Sequence, residues 1–299
     1  MLTRPGGQQL RSGFTLDSAQ PAAAFCDPSH SLGLVINILG EICFNRALAQ
    51  KDGKCMPQAL LSVFLLFVSA QIFAADATST RSLIEIALQS SIREPTEVTR
   101  DANRKPAQAL SFFGLDSGMK VLELSPASGY WSKILGPVLC SGDGQLVFAV
   151  GLSETFKNEV VARPGLECTS AINEELTLLN IPEFSFAEAD FDLILTFWNL
   201  HNLNDERRTH LNRAVFEALK SGGIYGIVDH TRRHMQPDSR AIGRRLDPVV
   251  VIKELTELGF EFEDYSPLHY HPEDDLAQEV GTPGIRGNTD RFTLKFRKP

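Results

Sequence analysis

Three positions in the second half of the chain have side chains that can move protons. Trp198–Asn199–Leu200–His201 follows the apolar run Phe191–Phe197, and Asp229–His230 follows the shorter run Ile224–Val228. An imidazole takes up or releases a proton near neutral pH, and a carboxylate can fix its orientation. His201 can therefore act as a base towards a nucleophile. Asp229 can orient an imidazole or accept a bond itself, and His230 is the third candidate. The other reading is that these polar groups cap strand ends and hold loops. His269 and His271 project to one side if extended and could join His201, Asp229 and His230 around a metal. No short ligand motif such as H-E-x-x-H is present, so no metal is expected. Ser128 stands in P-A-S-G-Y rather than G-x-S-x-G, which argues against a hydrolase nucleophile.

The elements that would position these residues are legible upstream. In Met119–Leu135 an apolar run (Val121, Leu122, Leu124) carries Glu123 and ends in the small-residue turn Ser125–Gly129. A segment with helical spacing follows, with Tyr130, Ile134 and Leu135 available to one face. Strand, tight turn and helix is how an open α/β sheet presents backbone N–H groups to a nucleotide-type ligand. Gln145–Val150 reads as a second strand ended by Gly151, Ser153–Ala162 as a helix, and Leu166–Ala171 as a weak third strand. Phe191–Phe197 is apolar almost throughout, as expected of a strand buried on both faces. Asp205–Leu219 has helical spacing, closed by glycine in Lys220–Gly223. Asp247–Leu258 begins with an N-cap and Pro248 at the first helical position. Phe260–Tyr265 and Arg291–Phe296 alternate and can pair antiparallel at one sheet edge.

Earlier, Thr80–Gln89 and Pro106–Phe113 read as helices, and the polar stretch REPTEVTRDANRKP between them reads as a surface connection containing a short helix. Alternating strands and helices give a doubly wound α/β domain.

A formal charge of −8 argues against a general nucleic-acid binder. Arg232, Arg233, Arg240, Arg244 and Arg245 lie close together in sequence. They are either a solvated loop and helix start or a patch for an anionic substrate. The five cysteines include no C-x-x-C pair, so neither a zinc site nor a dithiol redox site is suggested. Cys140 and Cys168 can pair only if the fold brings them together.

Residues 1–55 read as an upstream or unstructured extension. At their end Lys51 and Lys54 precede the apolar run Ala59–Ala70, followed by the small residues Ala74, Ala75 and Ala77. Positive region, apolar core and small-residue site is the order of a secretory signal. The run falls short of the ~20 residues a membrane span needs. The expected organisation is an extension (1–55), a signal peptide (56–77) and one domain (78–299), periplasmic or exported. The alternative is a cytoplasmic protein with a buried apolar helix.

The stretches LELSPASGYWSKIL, LKSGGIYGIVDH and TDRFTLKFRKP, with RDANRKP and RRLDP in support, resemble the class I S-adenosylmethionine-dependent methyltransferases. More narrowly, the chain is similar to predicted bacterial methyltransferases with signal peptides. The resemblance implies a Rossmann-like, doubly wound seven-stranded sheet, mostly parallel with an antiparallel last strand. It implies S-adenosyl-L-methionine as cofactor, over the carboxyl ends of the first strands. Cofactor-binding positions would be Glu123, Pro126, Ala127, Ser128, Gly129, Tyr130 and Asn199; catalytic ones would be His201, Asp229 and His230. Ala127 and Ser128 depart from the usual Gly-x of the first motif. The second strand runs into Gly151 where an acid normally takes the ribose hydroxyls, and Glu154 is the nearest acid. The expected acceptor is a small molecule or envelope component, with no nucleic acid and with membrane contact only through the signal segment. A non-enzymatic binding protein on the same fold is the alternative.

Overall fold

The apolar runs of the sequence become the strands of one mixed sheet. The structure is a computed structural model that describes residues 80–161 and 163–299; the expected extension and signal segment lie outside the described residues. The strands are β1 (Lys120–Leu124), β2 (Gln145–Ala149), β3 (Thr169–Ile172), β4 (Phe191–Phe197), β5 (Leu219–His230), β6 (Glu261–Tyr265) and β7 (Arg291–Arg297). Their order is β3-β2-β1-β4-β5-β7-β6. Strands β1 to β5 pair in parallel, and β7 runs antiparallel between β5 and β6. This is the expected doubly wound sheet, seven-stranded and mostly parallel.

Alternation along each central strand feeds two cores. Val121, Leu146, Phe148, Leu193 and Leu195 face one side. There they meet α1 (residues 80–88), α2 (Pro106–Phe113) and α3 (Ser132–Cys140) through Ile84, Leu110, Phe113, Ile134 and Leu135. Leu122, Leu124, Val147 and Ile194 face the other side, against Leu211 and Val215 of α4 (Asp205–Ala218) and Val251 and Leu255 of α5 (Pro248–Glu257). Each fully buried side chain of this kind contributes roughly 1.5–3 kcal/mol. The buried Arg208 guanidinium joins α4 to α5 through Glu254 at 2.5 and 2.7 Å.

Two local expectations are corrected. Residues 153–162 were expected to form a regular helix, but a single α-turn (Glu154–Phe156) passes into a π-turn (Lys157–Val161). The wider turn lets Phe156 and Val160 both reach the same buried spot beside Gly129. Lys220–Gly223 does not cap α4. The helix ends at Leu219 in extended geometry, and the glycines are absorbed into β5. There a Cβ at Gly223 would meet the carbonyl oxygens of Lys220 and Phe191 at 2.9 and 3.0 Å.

The fold also joins Cys140, at the end of α3, to Cys168, just before β3, in a disulfide. The sequence had left that pairing open.

Glu123 faces the α3 side of β1 and is fully buried, accepting a 2.7 Å hydrogen bond from Ser132 Oγ. Burial raises its carboxyl to about 8, against the smaller opposing effect of the Ser132 bond. The ordinary glutamate value is about 4.3. Between the two values only the folded chain holds the proton, so stability falls as pH rises through that window and levels off above it. Glu123→Gln removes the titration while keeping the shape. Its melting temperature should gain on the wild type steadily from pH 5 to pH 8.5. Parallel melting curves across that range would show that Glu123 is ionised in the fold.

Candidate functional site

The parallel strands leave the sheet in an unusual way. The first residue after each of β1 to β4 has left-handed backbone: Ser125 (φ 49°), Val150 (φ 67°), Asn173 (φ 49°) and Trp198 (φ 59°). Ala127 repeats this at φ 53°. Such conformations cost non-glycine residues on the order of 1–3 kcal/mol each and gather where a fold holds a ligand edge. The sharp exits leave the carboxyl edge of the sheet open to the loops that follow.

After β1, Pro126 is buried while Ala127 and Ser128 are exposed. Among the described residues, the backbone N–H groups of Ala127 and Ser128 have no protein acceptor. They are free donors in the turn where the sequence placed a ligand. Gly129 serves another purpose. At φ 80°, a Cβ there would meet Phe156 and Val160 at 3.2 Å, so the glycine makes room for these side chains. Glu123 lies beneath the turn on Ser132, and Tyr130 is buried with its hydroxyl donating to Asp101 at 2.5 Å.

The loop after β4 is tied to its neighbours. Asn199 Nδ2 donates to the carbonyls of Leu124 (2.9 Å) and Ser125 (3.4 Å), fixing the β1 turn from the side. His201 Nδ1 lies 2.5 Å from Asp229 Oδ1, and the His201 backbone N–H donates to Asp229 Oδ2 at 3.1 Å. Asp229, fully buried at the end of β5, also accepts the His230 N–H at 2.7 Å. Burial alone would raise its carboxyl, but the interactions with the His201 ring and the His230 backbone N–H outweigh it and hold the group below the usual range. The ring of His201 thus has one nitrogen held by a carboxylate and Nε2 left for chemistry. Burial lowers His230 to about 3, so its ring is neutral; its Nδ1 lies 2.9 Å from Thr289 Oγ1 and its centroid 5.4 Å from that of His201.

The remaining sequence candidates lie elsewhere. His269 is buried between Thr293 Oγ1 (2.7 Å) and the Arg104 carbonyl (2.8 Å). Among the described residues no three His, Cys, Asp or Glu side chains are grouped to hold a metal ion. Glu154 is exposed and paired with Lys157, so the end of β2, Val150–Gly151, carries no carboxylate. Of the five neighbouring arginines, Arg245 is buried on Asp274, Arg232 pairs with Asp238 and Arg244 with Glu279.

The sequence reading missed a cluster above the same edge. REPTEVTRDANRKP is the expected surface connection with helical turns in it, but its Arg93, Glu97 and Pro106 are buried. It folds into two short helical turns, Pro95–Val98 and Asp101–Arg104, anchored by the buried pairs Arg93–Asp101 and Lys133–Glu97. The Arg104 guanidinium carbon stands 4.1 Å from the Tyr130 ring centroid and 4.2 Å from that of Trp198. The spacing of Arg100 and Arg104, four apart and therefore on one helix face, was the available signal.

No family model matches this chain, and no curated protein matches it. Similar solved structures exist at low identity. A SAM-dependent methyltransferase from Aquifex aeolicus is 17% identical, covering 72% of this chain and 97% of that one, with a TM-score of 0.46. The glycopeptide N-methyltransferase MtfA complexed with sinefungin is 15% identical, covering 66% of this chain and 86% of that one, at 0.44. A possible exported protein from Bordetella parapertussis is 18% identical, covering 67% and 68%, at 0.43. At this level of likeness the fold assignment rests on the strand order itself: a Rossmann-like α/β sheet with β7 reversed.

Proposed function

We propose that the protein is an exported S-adenosylmethionine-dependent methyltransferase acting on a small molecule or envelope component. The observation that carries this reading is the turn after β1, with its free Ala127 and Ser128 N–H groups, lying at the same sheet edge as the His201–Asp229 pair. The turn fits a cofactor held on bare main chain; the end of β2 offers no carboxylate for a ribose. When bound, S-adenosylmethionine supplies a methyl group already activated on a sulfonium, so alignment accounts for much of the rate. Asp229 holds His201 by Nδ1, which leaves Nε2 to take the proton that an acceptor O–H or N–H gives up. Asn199 acts as a positioning residue, keeping the turn in register with β4.

Export is supported by the Cys140–Cys168 disulfide, since such bonds persist in oxidising compartments. Among the described residues no helix is long and apolar enough to cross a membrane. A second reading, a binding protein that has lost catalysis, draws on Val150–Gly151. Two charged hydrogen bonds of ~1.5–3 kcal/mol each are missing there, enough to weaken cofactor binding by orders of magnitude.

Calorimetric titration of the purified chain with S-adenosylmethionine and S-adenosylhomocysteine should give saturable binding, with dissociation constants of roughly 10 μM to 1 mM given the missing carboxylate. His201→Gln should retain that binding, because the imidazole serves the acceptor. Absence of heat with either ligand at millimolar concentration would remove the methyltransferase reading.

Reduction of the disulfide, or Cys140→Ser with Cys168→Ser, should cost about 3–4 kcal/mol of stability for a loop of this length. Urea midpoints with and without reductant measure it. An unchanged midpoint would mean that the bond is not formed, and the argument for export from the disulfide would go with it.

A further inference from the structure

The short turns over the sheet edge bring together more positive charges than the nearby carboxylates pair with among the described residues. Arg104 makes no side-chain hydrogen bond or ion pair among the described residues; its guanidinium is held by the faces of Tyr130 and Trp198. Arg100 reaches only the Thr96 carbonyl, at 3.2 Å, with its guanidinium carbon 5.3 Å from the Tyr130 ring. Arg291 begins β7 in register with His230 and is 6% exposed. It donates to the carbonyls of Asn103 and Gly287, while its Nε is buried without an acceptor. Trp198 Nε1, on the indole that separates the two arginines, is likewise buried without one.

Neighbouring carboxylates are already committed. Asp101 serves Arg93 and Tyr130, and Glu97 serves Lys133. Asp274 serves Arg245 and the Asp290 N–H; Asp290 accepts the His271 N–H and its charge acts on Arg291, which leaves Arg100 and Arg104 without a carboxylate of their own among the described residues. Buried charge without a partner is expensive, and aromatic faces offset only ~0.5–2 kcal/mol of it. Burial first, then the charge of Arg100, pulls Arg104 down to about 10, and burial does the same to Arg291. The cluster is short of an anion. Arg104 stands over Trp198, the residue after β4, and Arg291 lies opposite His230 at the end of β5; a planar guanidinium can bind carboxylate or phosphate oxygens in pairs.

We infer that this edge binds an anionic group, carboxylate or phosphate, on the molecule to be modified, with Arg104 and Arg291 as its counter-charges. The inference rests on the reading of this edge as the place of reaction and names the class of acceptor: an organic acid or a phosphorylated compound.

Trp198 makes the site observable, because an anion on Arg104 alters the environment of the indole. Inorganic phosphate and acetate are titrated against the full chain by tryptophan fluorescence and calorimetry, with chloride as the control, in the absence and presence of saturating S-adenosylhomocysteine. At least one anion should bind more tightly than chloride and keep its affinity with S-adenosylhomocysteine bound. A preference for phosphate assigns a phosphorylated acceptor, and a preference for acetate an organic acid. Arg104→Gln should weaken binding about ten- to a hundredfold, as loss of charged hydrogen bonds does. Arg213→Gln, at the exposed pair with Glu183, should leave it unchanged. If Arg104→Gln fails to fold, Arg291→Lys tests the same site by keeping the charge and losing the paired geometry. Responses no stronger than chloride would overturn the proposal. So would displacement of the anion by S-adenosylhomocysteine, which would give the arginines to the cofactor. Anion binding without any S-adenosylhomocysteine binding would keep the anion site while removing the methyltransferase reading.

Discussion

The geometry of the carboxyl edge depends on the left-handed exits from the first four strands. Ser125, Val150, Asn173 and Trp198 each bend the chain sharply where the strand ends. Without such a bend the β1 chain would run on past the edge, and Ala127 and Ser128 would not face outward with free N–H groups. The bends are unfavourable in isolation, most of all for the β-branched Val150. They persist because β1, β2 and β4 behind them are buried on both faces and because the loops are tied down after they turn. Asn199 is the clearest tie. Its amide donates to carbonyls at the end of β1, so the β4 loop and the β1 turn move as one unit.

Asp229 extends the same arrangement to β5. One buried carboxylate accepts two backbone N–H groups and lies 2.5 Å from the His201 ring nitrogen. A buried carboxylate without these donors would be driven towards its protonated form; with them it remains charged and orients the imidazole. The environment also divides labour between the two histidines. His230, desolvated, is neutral and held beside Thr289, which leaves His201 as the ring with a carboxylate behind it. Two histidines 29 residues apart thus become chemically distinct through their partners, Asp229 for one and Thr289 for the other, which a one-dimensional spacing does not reveal.

Most strands were legible because burial on both faces leaves a nearly unbroken apolar run, as in Phe191–Phe197, and the α5 helix because Asp247, Pro248 and Gly259 mark its ends. What escaped the sequence was long-range. The polarity of REPTEVTRDANRKP suggested solvent, yet Arg93 and Glu97 are buried because each has a partner, Asp101 and Lys133. Polar residues that neutralise one another look the same in sequence as polar residues that face water. The glycines of Lys220–Gly223 had the composition of a helix cap, but pairing of Leu219 with Phe191 drew them into a strand. The positions of the β1 turn and of His201, Asp229 and His230 at one edge did follow from strand ends alone. The arginine cluster above them depended on which acids were already paired, and only coordinates supply that.

The two ends of the sheet carry different burdens. Cys140 ends α3 and Cys168 leads into β3, so the disulfide lies at the amino edge, where β2 and β3 begin. The left-handed exits, the imidazole pair and the arginines lie at the opposite edge. A covalent tie at the amino edge restrains the unfolded chain without occupying or stiffening the turn that would hold a ligand. This separation lets the carboxyl edge carry strained backbone and uncompensated charge, both unfavourable for stability, while the sheet beneath it remains folded. An open α/β sheet suits that division, because its crossover connections place the carboxyl ends of the parallel strands on the same side. The end of β2, Val150–Gly151, carries no acid, and the rest of the edge's architecture stands without one.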